Sequence, residues 1–204
     1  MIIQDIITQV NLLTNRKQSR YYSPTEIMTA INSSVLDMFN ESRSEFEETQ
    51  KVNDLLRVFK ATETISLTSG VGNLASDYAS ITGFNDNIDL VGDDRWGEVQ
   101  NDVICSPDAD YPVANILGST IRVLPTSITS VDITYLKTPV NGVYATTLSS
   151  NSRDYIFDEG NSTDVEIPEH KSPELLAKTC KYLGIGLSQS DLTQFELLKN
   201  QTDK

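Results

Sequence analysis

The sequence predicts an α+β fold, with N- and C-terminal helices forming a bundle and a central antiparallel β-meander lobe, in one domain spanning residues 1–204. Three observations carry this expectation. The stretch 111–139, YPVANILGSTIRVLPTSITSVDITYLKTP, reads as three short strands in succession. Apolar residues recur at helical spacing before residue 60 and after residue 168. Helices and strands are segregated rather than alternating, which argues against a parallel βαβ sheet. The helices are expected at about 2–59 and 171–200, and the β-rich lobe at about 61–168.

Within the meander, strands are expected at 113–117, 120–124 and 128–135. Gly118 and Ser119 join the first two. Glycine supplies the positive φ that matches strand twist in a two-residue hairpin. Pro125 and Ser127 mark the second turn. Val131, Ile133 and Tyr135 alternate with Asp132 and Thr134, the period of two of a sheet with one buried face.

Taken in order, Ile3, Ile6, Ile7, Val10 and Leu13 mark an amphipathic first helix. Its opening, MIIQDIITQV, contains Asp5 and no base, so it reads as a helix rather than a signal peptide. Arg16, Lys17 and Arg20 follow in the most basic segment of the chain, expected as an exposed loop. Ser23, Pro24 and Glu26 form a capping box with proline at the first helical position. Ile27, Ala30, Ile31, Val35, Met38 and Phe39 line that helix. The pattern thins over ESRSEFEETQK and returns with Val52, Leu55, Leu56 and Phe59, so either one long helix projects from the core in its middle or two helices meet near residues 42–44, two helices or a kinked one being favoured.

Residues 63–68 alternate as a strand and end in a glycine turn. Residues 74–84 fit either a short helix or a second extended segment, and 84–110 read as an acidic excursion with at most a short strand at 88–91. Further strands are expected at 143–147, 153–157 and 163–167, the last two joined as a hairpin by DEGNS. Ser172 as cap and Pro173 open the next helix, with Leu175, Leu176, Thr179, Leu183 and Leu187 buried. Gly184 and Gly186 would each cost about 1 kcal/mol in a helix interior, which implies a close crossing or a bend. Ser188 or Ser190 caps a last short helix carrying Leu192, Phe195 and Leu198.

The net charge is −13, with acids spread along the whole chain. That argues against duplex binding through a phosphate-neutralising patch. An acidic wall instead lets DNA pass without sticking. No apolar run approaches the ~20 residues of a membrane span, so no membrane partner is expected. Cys105 and Cys180 are expected as buried free thiols of a reducing compartment rather than a disulfide.

Motifs for chemistry are sparse. The segment 70–75, GVGNLA, fits a dinucleotide fingerprint, but the turn-rich region after it lacks the required helix and parallel strand, so a glycine turn is expected. Asn85, Asp86, Asn87 and Asp89 begin like a calcium loop, yet Leu90 and Trp96 stand where that motif needs glycine and a bidentate glutamate. His170 is the only histidine, so no zinc set or triad assembles around it. The adjacent acids Asp93 and Asp94, and Asp158 and Glu159, lie in expected turns and read as solvated. The NxS/T matches at Asn32, Asn40, Asn161 and Asn200 read as chance. No catalytic, cofactor-binding or metal-binding residue is assigned. Tyr21, Tyr22, Trp96 and Tyr111 sit in expected loops, where aromatics either anchor an interface or cover a sheet edge.

Three stretches, SRYYSPTEIMTAINSSVLDMFNES, SITSVDITYLKTP and IPEHKSPELLAKTCKYLGIGLSQSDL, together resemble the head–tail connector (portal adaptor or ring) proteins of short-tailed bacteriophages, in particular the crAss-like phages of gut bacteria. The similarity spans most of the chain. Its patterns are not site motifs, so no functional residue carries over. The resemblance implies a structural virion protein of the tail or neck, present in the host cytoplasm during assembly, with neither enzyme activity nor cofactor. It implies a ring of copies of itself, commonly twelve, bound to the portal and to other tail or ring proteins. Such a ring extends the DNA channel used in packaging retention and ejection, and DNA passes its lumen without sequence-specific binding. Another tail, stopper or neck component remains an alternative, as does a cation- or carbohydrate-binding module built on the acidic loop.

Overall fold

The computed structural model describes residues 2–13, 22–49, 54–84, 87–102, 106–148 and 155–185. In chain order its elements are α1 (Ile2–Leu13), α2 (Pro24–Thr49), α3 (Asp54–Val58), β1 (Lys60–Ser66), β2 (Val71–Asn73), β3 (Tyr78–Phe84), β4 (Asp89–Leu90), α4 (Asp93–Asn101), β5 (Val113–Leu117), β6 (Thr120–Leu124), β7 (Ser130–Lys137), β8 (Thr146–Leu148), β9 (Tyr155–Phe157) and α5 (Ser172–Tyr182). The fold is mixed α+β with mainly antiparallel sheets, as expected, but the expected meander is corrected: β5 and β6 pair as a hairpin in one sheet, whereas β7 leaves it to lie between β1 and β3 in another. Residues 1–58 and 139–204 form one compact unit, and 59–138 a second. The β-rich unit therefore ends at Thr138, and the strands after it belong with the helices.

In the helical unit, α5 packs along α2, and α1 touches both. Ile3, Ile6, Ile7 and Val10 of α1 are buried, as are Ile27, Ile31, Val35, Met38 and Phe39 of α2 and Leu175, Leu176 and Cys180 of α5. The capping box forms: Ser23 N donates to Glu26 Oε2 at 2.7 Å, and Glu26 N donates to Ser23 Oγ at 3.2 Å. The hydrogen bonds from Ser23 hold the Glu26 carboxyl below its ordinary range. The start of the first helix is held from a distant part of the chain. Ile2 N and Ile3 N donate to the two oxygens of Asp164, at 2.8 and 3.0 Å, and a carboxylate there favours the positive end of the helix dipole.

Four expectations for this unit are corrected. Helix α2 runs unbroken through residues 42–44, because buried Phe46 and the Arg43–Glu47 pair at 2.9 Å keep the charged stretch helical. Ser172 does not cap α5; it is the first helical residue, and Lys171 before it makes no side-chain cap. Gly184 lies beyond the helix, not inside it. With φ +69° it ends α5 in a Schellman motif, Ile185 N donating to Cys180 O at 2.8 Å and Gly184 N to Lys181 O at 3.1 Å. Finally, β9 pairs with β8 rather than with 163–167, where among the described residues a Thr163–Val143 bridge forms instead. The Asp158 carboxylate accepts from Asn161 N at 3.3 Å and Asn161 Nδ2 at 2.7 Å, winding DEGNS into a 3₁₀ turn that diverts the chain. The expected last helix, with Gly186 and Leu187, lies outside the described residues.

The β-rich unit pairs a three-stranded sheet, β1-β7-β3, with a four-stranded sheet, β2-β6-β5-β4. Ile65, Val131, Ile133 and Tyr135 of the first share one core with Ala114, Ile121 and Val123 of the second. Glycine serves the turn expected of GVGNLA: Ser69 (φ 52°) and Gly70 (φ 76°) close the Thr68–Val71 bridge. At Gly72 a Cβ would come within 2.5 Å of Ile65 Cγ2, so glycine lets β2 lie close to β1. The ambiguous 74–84 segment resolves as β3. The excursion at 84–110 holds a helix, α4, that sequence periodicity did not announce. Together β4, α4 and β5 make a small crossover, with β4 and β5 parallel, an exception to the segregated antiparallel pattern.

Ile133 is fully buried, whereas Asp132 on the other face accepts a hydrogen bond from Thr64 Oγ1 at an exposed position. Ile133→Asp is expected to destabilise by more than about 4 kcal/mol, and Asp132→Ala by about 1 kcal/mol or less, in denaturant titrations followed by circular dichroism. Equal effects would mean the face assignment is wrong. In the helical unit, Asn32 donates to Gly142 O at 3.1 Å and accepts from Gly142 N at 3.0 Å. Asn32→Ala strands both backbone groups and should cost about 2 kcal/mol in the same assay.

Candidate functional site

The acidic crossover is the most distinctive surface of the β-rich unit. Residues 84–110 carry eight carboxylates and one base, Arg95. Gly92 is the N-cap of α4, and Asp93 and Asp94 fill its first turn, where acids suit the helix dipole. Asn115 on β5, 1% exposed, ties the helix start to the sheet: its Nδ2 donates to Val91 O at 3.1 Å and to Asp93 Oδ1 at 2.9 Å. On the other side, Asp108 Oδ1 accepts from the amides of Asp110 and Tyr111, both at 2.9 Å, and fixes the turn that leads into β5.

Between these anchors lies an open groove of about 630 Å³. It is lined by Asp89, Leu90 and Val91 around β4, by Arg95 and Val99 of α4, and by Ser106, Pro107, Asp108, Tyr111 and Val113. Leu90 is 51% exposed and Tyr111 74% exposed. Strand β4 is the edge of its sheet. Asp89 N and Val91 N bond toward β5, leaving the Leu90 N–H and C=O facing away from it.

The four aromatics proposed from sequence do not come together. Tyr111 lines the groove. Trp96 is half-buried on α4, so it is helical and not a loop residue, because the turn-rich composition around it concealed the helix. Tyr22 is half-buried, and its hydroxyl donates to Leu183 O at 2.7 Å, joining the start of α2 to the end of α5. Tyr21 lies outside the described residues.

Two of the other candidate acids have structural partners. Asp158 is spent on its 3₁₀ turn and Asp93 on Asn115. His170 is exposed in the 3₁₀ turn (Glu169–Lys171) before α5. Asn85, Asp86 and Cys105 lie outside the described residues. Among the described residues no group of three or more His, Cys, Asp or Glu side chains converges as metal ligands, and no helix is long and apolar enough to cross a membrane. The arrangement offers carboxylate and backbone acceptors beside apolar contact area. Sequence reasoning missed Asn115 and Asp164, and no local motif could have flagged them, since their partners lie 22 and more than 160 residues away.

No family model matches the chain, and no curated protein sequence matches it.

Cys180 is fully buried and unbonded, and burial pushes its thiol up to about 11. In a Cys105→Ser background, Cys180 is expected to resist a thiol reagent at pH 8 until denaturant is added. Because its folded pKa lies above the ordinary 9, its contribution to stability is complete below pH 9 and is lost as pH rises toward about 11. Rapid native labelling would contradict this burial.

Proposed function

We propose that this protein is a structural virion component, a ring adaptor between portal and tail that extends the DNA channel. The observation that carries the reading is the helical unit built from both chain ends, with residues 59–138 inserted as a separate β-rich unit. Helices at the ends around a β-rich middle are the feature on which the connector reading rests. In this reading α1, α2 and α5 form a bundle that builds the ring wall, twelve copies close the ring, and the inserted β-rich unit offers a docking surface to neighbours. The portal and other tail or ring proteins are the partners, and the virion tail or neck is the location. The charge of −13 suits a conduit, since carboxylates repel passing phosphates.

Ring subunits meet through unlike surfaces related by rotation. Mass photometry and negative-stain electron microscopy of the protein, alone and co-expressed with the portal, should reveal rings of about 270 kDa, twelve chains of 22.6 kDa. Monomers alone under both conditions would overturn the reading. Capture by a tail protein but not by the portal would move the assignment to another tail component.

A further inference from the structure

The acidic groove and the most basic stretch of this chain are complementary in charge. Residues 84–110 carry eight carboxylates and one base, and of these Asp89, Asp108 and Arg95 line the groove directly. Its edge strand turns the Leu90 N–H and C=O outward, and Leu90 and Tyr111 add exposed apolar area. A short cationic segment laid along β4 would find carboxylates for its charges and an unpaired edge for its backbone. The chain contains one stretch of that chemistry, residues 15–20, with Arg16, Lys17 and Arg20 and no acid.

We infer that the groove of one copy receives residues 15–20 of a second copy. The inference rests on the ring reading and gives it a contact. Groove and basic segment are different surfaces, so the contact is heterologous: each copy both gives and receives, and the chain of contacts closes when the rotation is right. The charge pairing sets direction around the ring and speeds encounter more than it adds affinity. It also makes the contact weaken with salt.

Two measurements on the full-length protein test this. A fluorescein-labelled peptide of residues 14–22 is titrated with the protein by fluorescence anisotropy. Binding is expected to weaken with salt and to fall roughly tenfold in the Asp89→Lys/Asp110→Lys variant, which reverses the lining Asp89 and the exposed acid preceding the lining Tyr111 while sparing Asp108, whose carboxylate fixes the turn. Both side chains are exposed, so circular dichroism should show the variant folded like the parent. Mass photometry then compares the parent, the Arg16→Glu/Lys17→Glu/Arg20→Glu variant and the chain carrying both sets of changes. The basic-segment variant is expected to lose rings, and the combined variant to regain them. Peptide binding indifferent to Asp89 and Asp110, or rings that persist in the basic-segment variant, would sink the groove contact and leave the ring reading standing. A parent protein that never forms rings, with or without portal, would sink both.

Discussion

Strand β7 is hydrogen-bonded on both edges, to β1 and to β3, and its alternation constrains the rest of the β-rich unit. A shift of one residue would turn Val131, Ile133 and Tyr135 outward and bring Asp132 into the core, although the opposite face is not solvent throughout, since Thr134 and Leu136 on it are buried too. Tyr135 secures one end of the register. Its ring lies 5.8 Å from that of Tyr78, and its hydroxyl donates to Asp77 Oδ1 at 3.1 Å. Burial, then Asp77, raise its pKa, so the phenol remains a donor throughout the ordinary pH range. With that face held, Ile121 and Val123 of β6 and Ala114 of β5 complete the core. Asn115 follows Ala114 directly, so the strand that closes the core also carries the side chain that anchors α4. The acidic surface thus depends, through two adjacent residues of β5, on the packing of β7.

The helical unit is organised differently. Its apolar seams are amphipathic faces, but its unusual features are polar ties between distant parts of the chain. Asp164 caps α1, Asn32 pairs with the Gly142 backbone, and Lys178 reaches both Glu41 oxygens at 2.7 and 2.8 Å. The Lys178–Glu41 pair is exposed at the glutamate and contributes little stability by itself. The Asn32 and Asp164 contacts weigh more, because they satisfy backbone groups that would otherwise lose their partners. Gly142 explains why the chain comes so close there: a Cβ would lie 2.8 Å from Ile3 Cδ1 and Val165 Cγ1. Segments 110 and more residues apart are therefore fastened by backbone recognition, which fixes the path of the chain more closely than apolar contact alone.

The parts of this fold that were legible in the sequence are those governed by local rules. The Gly118 turn, the β7 alternation, the Ser23–Glu26 capping box and the α1 face each rest on residues within one or two turns of one another. What could not be read has a common cause. The length of α2 depended on Phe46 finding a buried site, and the partner of β9 depended on Asp158 closing a 3₁₀ turn. Helix α4 was hidden by its content: it buries no side chain, and its glycine and acids are those of a loop. Gly184 was visible as a glycine but misplaced, because the helical pattern of leucines continued past the true end of α5. Of the four aromatics picked as anchors, Tyr111 alone is both described and widely exposed, since exposure is decided by tertiary neighbours.

The same feature that hid α4 gives it meaning. A helix that buries no side chain gains little from the core and is held by its first turn, through Asp93 and Asn115. Around it, like charges repel without compensation from Arg95, which forms no ion pair among the described residues. Exposed repulsion of this kind is modest per pair and screened by salt, but it accumulates over neighbouring acids such as Asp89, Asp93, Asp94 and Glu98. A net charge far from zero opposes non-specific association. When a cationic segment arrives, the attraction it brings is added to relief of the existing repulsion, so the surface responds more strongly to charge than a neutral groove would. An edge strand is a hazard when its side chains are apolar and its charge is low. Here Asp89 stands on the edge strand itself, a charge of the kind that discourages indiscriminate strand pairing.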